Sequence, residues 1–246
     1  MSISRSRSAA AFTRRDLVAV IVVVFVLVLI LTQRLQRDNR AASRLDCNNN
    51  LKNLGTAYRI WGNDHGGQYP AFAPQTNGGW RDFLYLTNAS TYAWMNYATM
   101  ANELGQSAEI VTCPADERKP ASTFSNLLAN TNISYFVGVI ANETYPQSLL
   151  GGDRNLGPGT TPGPGYGFSP ASGKGNDVII KGPVCWSLKL HSDGNPTGAG
   201  NILLGDGSVQ QVTSVNLNES WLKNAFAKEA AQDKATNVAG LRIVFP

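Results

Sequence analysis

Residues 17 to 31 read Leu-Val-Ala-Val-Ile-Val-Val-Val-Phe-Val-Leu-Val-Leu-Ile-Leu, with no glycine, proline or charge among them. As an α-helix such a run rises roughly 22 Å. Thr13, Thr32 and Gln33 extend it toward the ~20 residues that cross a bilayer, and the flanking Arg14, Arg15 and Arg34 have stems long enough to snorkel. A transmembrane segment is therefore expected over residues 14–35. Arg5, Arg7, Arg14 and Arg15 precede the run, and the first acid is Asp16. Basic flanks stay cytoplasmic, so the N-terminus is expected inside and the body outside.

Beyond the run the chain suits one ordinary domain. Only 15% of its residues are charged, and it carries 24 glycines and 12 prolines, a balance that fits a loop-rich extracytoplasmic body. The net charge of +4 comes largely from the four N-terminal arginines. The remainder is near neutral, so no nucleic-acid partner is expected. The three cysteines, Cys47, Cys113 and Cys185, form no CxxC pair, and two histidines leave few ligands for zinc. Outside the cytoplasm a disulfide is allowed. The pairing taken is Cys47 with Cys113, leaving Cys185 buried and free, although spacing alone leaves other pairings open.

After the run, Cys47, Leu51, Leu54, Tyr58 and Trp61 recur at steps of four and three, one face of an amphipathic helix over residues 36–62. Gly62, Gly66, Gly67 and Pro70 end it. The alternative is two shorter helices broken at Asn48-Asn49-Asn50. Helices are expected over residues 80–86 and 92–104, and strands over 109–113, 133–141, 178–180, 184–190 and 241–245. The Gly- and Pro-rich residues 151–176 read as a loop insertion. Asp206-Gly207 between two apolar runs reads as a type I′ hairpin turn, with positive φ at both central positions. A helix capped by Asn216 or Asn218 is expected to run to Lys228. The whole is α+β: a long N-terminal helix and a small antiparallel sheet, with short helices.

Three fates of the apolar run compete. In a secretory signal it is removed, but Gln33, Arg34 and Gln36 stand where a small-residue cleavage site belongs. In a plain anchor it is never cut. In a prepilin-type leader the cut falls before it, and the run is kept. Ala11-Phe12-Thr13-Arg14-Arg15-Asp16 resembles the processing junction of type IV pilins and type II secretion pseudopilins. There the cut precedes a Phe and an acid stands fifth in the mature chain. Here Ala11 replaces the usual Gly and Asp16 the usual Glu. Cys47-Asn-Asn-Asn-Leu51-Lys-Asn-Leu54-Gly55, Tyr58 and Gly67-Gln-Tyr-Pro70 resemble the post-anchor helix of the protein G-like pseudopilins of type II secretion. Thr112-Cys-Pro-Ala-Asp116, Ser134-Tyr-Phe-Val-Gly138 and Gly152-Asp-Arg-Asn155 are similar to later segments of that group, and His191 with Asp206-Gly207 to its C-terminal His-to-Asp-Gly signature.

The resemblance implies a type IV pilin-like fold. It also implies a leader over residues 1–11, a helix over 12–62 and an extracytoplasmic domain over 63–246. It further implies cleavage by a prepilin peptidase after Ala11, methylation of Phe12, and pairing of Asp16 with a neighbour's N-terminal ammonium. Pseudopilin copies would then pack through residues 17–31 at the inner membrane. The alternative is an uncut, membrane-anchored binding module for a glycan or protein. An enzyme is not expected: His191, Asp153, Asp193 and Asp206 suggest a hydrolase, but no GxSxG elbow supplies a nucleophile. His191 is expected to bond backbone or Asp206 and so fix the hairpin. No cofactor is expected, although Asp193, Asn195 and Asp206 offer oxygens to calcium.

Overall fold

The computed structural model describes residues 14–85, 92–126, 129–192, 196–222 and 241–246, without the side chains of 33–41, 85 and 126. The chain divides into two units, residues 1–42 and residues 43–246. Helix α1, Arg14–Asp64, has 51 residues and no break at the asparagine run.

In the first unit, Arg14–Thr32 is long and apolar enough to cross a membrane, and none of it is buried. The large apolar side chains of residues 17–31 are 46 to 63% exposed, all round the helix. Such a surface does not persist in water. Thr32 Oγ1 donates to Leu29 O at 2.9 Å, so its hydroxyl is satisfied within the helix and adds little to the cost of burial in hydrocarbon.

In the second unit α1 buries Cys47, Leu51, Leu54, Ala57, Tyr58 and Trp61, as the four-and-three spacing requires, while Leu45 and Ile60 stay exposed. Gly66 and Gly67 have positive φ, and Gly67 N donates to Gly62 O at 2.8 Å, closing the helix end. Strands β1 (Tyr135–Gly138), β2 (Leu149–Asp153), β4 (Asn176–Ile180), β6 (Ala199–Leu204), β7 (Val209–Thr213) and β8 (Leu241–Phe245) form one antiparallel sheet, ordered β4-β8-β1-β2-β6-β7. Strands β3 (Leu156–Pro158) and β5 (Val184–Trp186) pair separately.

Side chains alternate between two cores. Tyr135, Val137, Leu150, Leu203 and Val244 join the face of α1 and helix α2, Ala93–Thr99. Phe136, Ile202, Leu204, Ile243 and Phe245 join Trp186, Leu217 and Leu222 on the other face. A sheet covered on both faces needs apolar residues on both sides, which is why 133–141 is apolar apart from the buried Ser134.

Several expectations are corrected. Residues 109–113 form no strand: Ala108–Val111 is a 3-10 turn, joined to β1's approach by a lone ladder-like bond, Ser134 N to Val111 O. The expected insertion 151–176 contains most of β2, buried throughout because it lies inside the sheet, and β3, which pairs with β5 and buries Leu156 and Gly157. At the hairpin only Gly207 has positive φ, at 81°; Gly207 N donates to Leu204 O, and Gly205 and Asp206 form a turn that is not type I′. The cap of the last described helical segment is Thr213, whose side chain accepts from Asn216 N, followed by a π-helical turn, Leu217–Leu222. The expected continuation to Lys228 lies outside the described residues.

Candidate functional site

The sheet carries three successive polar residues, Asp153, Arg154 and Asn155, into the interior at the end of β2. Each has different partners. Asn155 Nδ2 donates to the carbonyls of Ser187, Lys189 and Ala199, fixing the path from β5 to β6. Arg154 grips Asp116 with two bonds of 2.7 Å, Nε to Oδ2 and an Nη to Oδ1, in a nearly dry setting. Its guanidinium lies 3.3 Å from the centroid of the Tyr166 ring, which ties down the Gly- and Pro-rich loop. Burial works to raise the Asp116 carboxyl, but the hydrogen bonds and charge of Arg154 outweigh it and hold the group below its ordinary range. Arg118 bonds the carbonyls of Asn130, Ile133, Pro170 and Pro246, so one side chain joins three segments.

Asp153 faces a different neighbourhood. Its Oδ2 accepts from Asn201 N at 2.7 Å and from Asn201 Nδ2 at 3.1 Å, and lies 3.6 Å from His191 Nε2. Burial pushes this carboxyl above its usual range, against the opposing pull of His191 and Asn201. His191 Nε2 is also 3.5 Å from Cys113 Sγ. Cys113 is bonded to Cys47, joining α1 to the segment after the 3-10 turn across 66 residues. Asp153 Oδ1 and His191 Nδ1 are buried with no hydrogen-bond partner among the described residues.

The Cys–His–Asp alignment is not that of a nucleophile and its base. The sulfur is spent in a disulfide, and the carboxylate flanks the same ring nitrogen that faces the sulfur, whereas an orienting acid holds the other nitrogen. Cys185 is free and buried, its thiol donating to Thr161 O, and burial raises its pKa, so it is poorly reactive.

A cleft of about 460 Å³ opens beside Cys113, lined among others by Asp46, Asn49, Asn50, Glu109, Asp116 and Arg118. Asn50 Nδ2 donates to Thr112 O across it.

The sites expected from sequence are placed as follows. Asp16 stands in the first turn of α1. Ala11, Phe12, Asp193 and Asn195 lie outside the described residues. His191 meets Cys113 and Asp153 rather than Asp206, which is exposed and accepts from Ser208 N at the hairpin tip. The expected His191–Asp206 tie is thus replaced by a core contact. Gly207 packs on α1. Asp116, Arg154 and Asn201 were not expected as a buried set: only Arg154 falls in the segment that reads as a loop insertion, and no periodicity joins it to the other two.

No family model, no curated protein and no solved structure matches this chain.

Proposed function

We propose that this chain is a pseudopilin-like subunit of a type II secretion or type IV pilus-like filament. On this reading it is cut before Phe12 by a prepilin peptidase, kept at the inner membrane by α1, and assembled with its copies through residues 17–31. The observation that carries the reading is the apolar surface of residues 17–31, exposed on every side with no polar break. Burying a large apolar side chain yields ~1.5–3 kcal/mol, so even at half that value each the run gains on the order of 10–20 kcal/mol on leaving water. A lipid anchor uses that gain once. A filament subunit also gains it once, on leaving water, and then exchanges lipid for packing against neighbouring helices, which adds van der Waals contacts rather than a second hydrophobic gain. The residues resembling a prepilin junction, Phe12 to Asp16, stand directly before the run. The disulfide supports an oxidising, extracytoplasmic setting for the body.

The test is proximity of copies. Cysteine introduced at Val22, with Cys185 replaced by Ser, should give oxidative dimers in membranes at single-copy expression. If only monomer forms at every position sampled around the helix, copies do not pack through the run.

The cleft beside Cys113 favours a second reading: an uncut anchor that presents the body to a glycan or protein. Its acids and amides, Asp46, Asn49 and Glu109, would accept and donate to hydroxyls.

A further inference from the structure

The three residues Cys47, Cys113 and His191 come from α1, from the segment after the 3-10 turn and from the segment after β5. Their ligand atoms nonetheless lie within 4.8 Å of one another, all buried. We propose that, when its disulfide is reduced, this cluster binds one thiophilic divalent cation, with Zn²⁺ the best fit, through Cys47 Sγ, Cys113 Sγ and His191 Nε2, with a water as the fourth ligand.

The distances fit a tetrahedral ion. With Zn–S near 2.3 Å and Zn–N near 2.0–2.1 Å, a sulfur and a nitrogen on one ion stand roughly 3.5–3.6 Å apart, and a nitrogen and an oxygen roughly 3.4 Å apart. His191 Nε2 is 3.5 Å from Cys113 Sγ and 3.6 Å from Asp153 Oδ2. Thus the sulfur–nitrogen edge already has the required length while the sulfurs are bonded, and the carboxylate sits beside the same nitrogen. Reduction frees the two sulfurs to separate by side-chain rotation.

The placement of the acid decides its role. A carboxylate that merely supports a metal-bound histidine bonds the ring nitrogen away from the metal. Asp153 instead flanks the nitrogen that faces the sulfur, but it is not among the residues whose ligand atoms all lie within 4.8 Å of one another, so it stands beside the bound imidazole and the water rather than on the ion. Its other oxygen, Oδ1, is fully buried with no hydrogen-bond partner among the described residues. Asn201 holds the carboxylate from the side of Oδ2 through a backbone and a side-chain bond, and keeps it aimed. The donor set of two thiolates and an imidazole suits zinc rather than calcium or magnesium.

The chemistry balances with an external dithiol as reductant. Its two thiols close to a disulfide, and Cys47 and Cys113 take up the two electrons and two protons. On metal binding both protons leave for solvent as the thiolates coordinate. The cluster then has two closed states, a disulfide in an oxidising compartment and a metal-bridged one in a reducing compartment.

The experiment uses the full chain in detergent, reduced anaerobically with a phosphine and titrated with Co²⁺. One equivalent should produce thiolate-to-cobalt charge transfer and the intense visible bands of tetrahedral cobalt, and one equivalent of Zn²⁺ should abolish them. The oxidised protein should show neither. Cys113→Ser should lose the charge-transfer band, and His191→Ala should weaken affinity at least tenfold. The oxidised His191→Ala protein should keep its disulfide and its circular dichroism, which separates a lost ligand from a lost fold. Should the reduced chain unfold, Zn²⁺ must restore its near-ultraviolet dichroism. A reduced wild type without the tetrahedral signature, an affinity unchanged in His191→Ala, or a reduced chain that zinc cannot refold would each overturn the proposal.

Discussion

Gly55 of α1 lies against Gly207 of the β6–β7 turn so closely that a methyl group on Gly55 would stand 2.7 Å from the Gly207 carbonyl oxygen and 2.9 Å from Leu203 Cδ1. The hairpin tip and the helix therefore meet backbone to backbone. Gly207, at φ 81°, both makes the turn and leaves room for this approach. Alanine at position 55 gains about 1 kcal/mol in helix propensity but overpacks a backbone contact, which costs about 1–3 kcal/mol. Gly55→Ala should lower stability by about 1 kcal/mol and Gly55→Val by more, read from urea midpoints. An unchanged midpoint for Gly55→Val would show that the hairpin does not seat there.

The disulfide closes a long loop, for which chain-entropy arguments give roughly 4 kcal/mol, and removing a native disulfide typically costs about 2–5 kcal/mol. Cys47→Ser should therefore destabilise the body by about 2–4 kcal/mol without altering the helical content of α1. Non-reducing peptide mapping of the wild type should recover Cys47 linked to Cys113 and Cys185 as a thiol. Linkage of Cys185 to either would contradict the structure.

Arg154 and Asp116 give a pH-dependent term of definite sign. The folded Asp116 carboxyl titrates lower than the unfolded one, whose pKa is ~3.9. The pair's contribution is therefore complete above that value and is lost as pH falls through the lower, folded pKa. Asp116→Asn should flatten the fall in stability below pH ~4. Arg154→Met leaves a buried carboxylate without its cation and should cost about 3–5 kcal/mol at neutral pH, less in acid. A stability loss independent of pH would mean that packing against Tyr166, not charge, is what Arg154 supplies.

What the sequence disclosed and what it hid divide along physical lines. The body's share of α1 was legible because Cys47, Leu51, Leu54, Tyr58 and Trp61 mark one face in a period that only a helix satisfies. β1, β4 and β8 were legible from β-branched and aromatic density. Ile110-Val111-Thr112 has the same density, yet makes a 3-10 turn, because β-propensity needs a neighbouring ladder and this segment has only one such bond. The buried run Asp153-Arg154-Asn155 reads from sequence as part of a loop, since adjacent polar residues carry no periodicity and their partners lie far off in sequence. Hairpin proximity leads to backbone or Asp206 as the partner of His191, although the fold gives it Asp153, 38 residues before it. Contacts of that separation follow from strand order, which no local pattern encodes.

Asp16 supplies a separation of folding from assembly. An acid at the edge of hydrocarbon is costly unless paired. On the filament reading, Asp16→Ala should leave the body's disulfide and thermal unfolding unchanged while abolishing crosslinking between copies. Crosslinking at the wild-type level would remove the proposed ammonium pairing.

The central claim is that the apolar helix is retained by a cut placed before it. Intact mass of the protein extracted from bacterial membranes tests this directly. A helix retained in this way requires a chain beginning at N-methyl-Phe12. A mass that retains residues 1–11, or one that begins beyond Gln33, would contradict it.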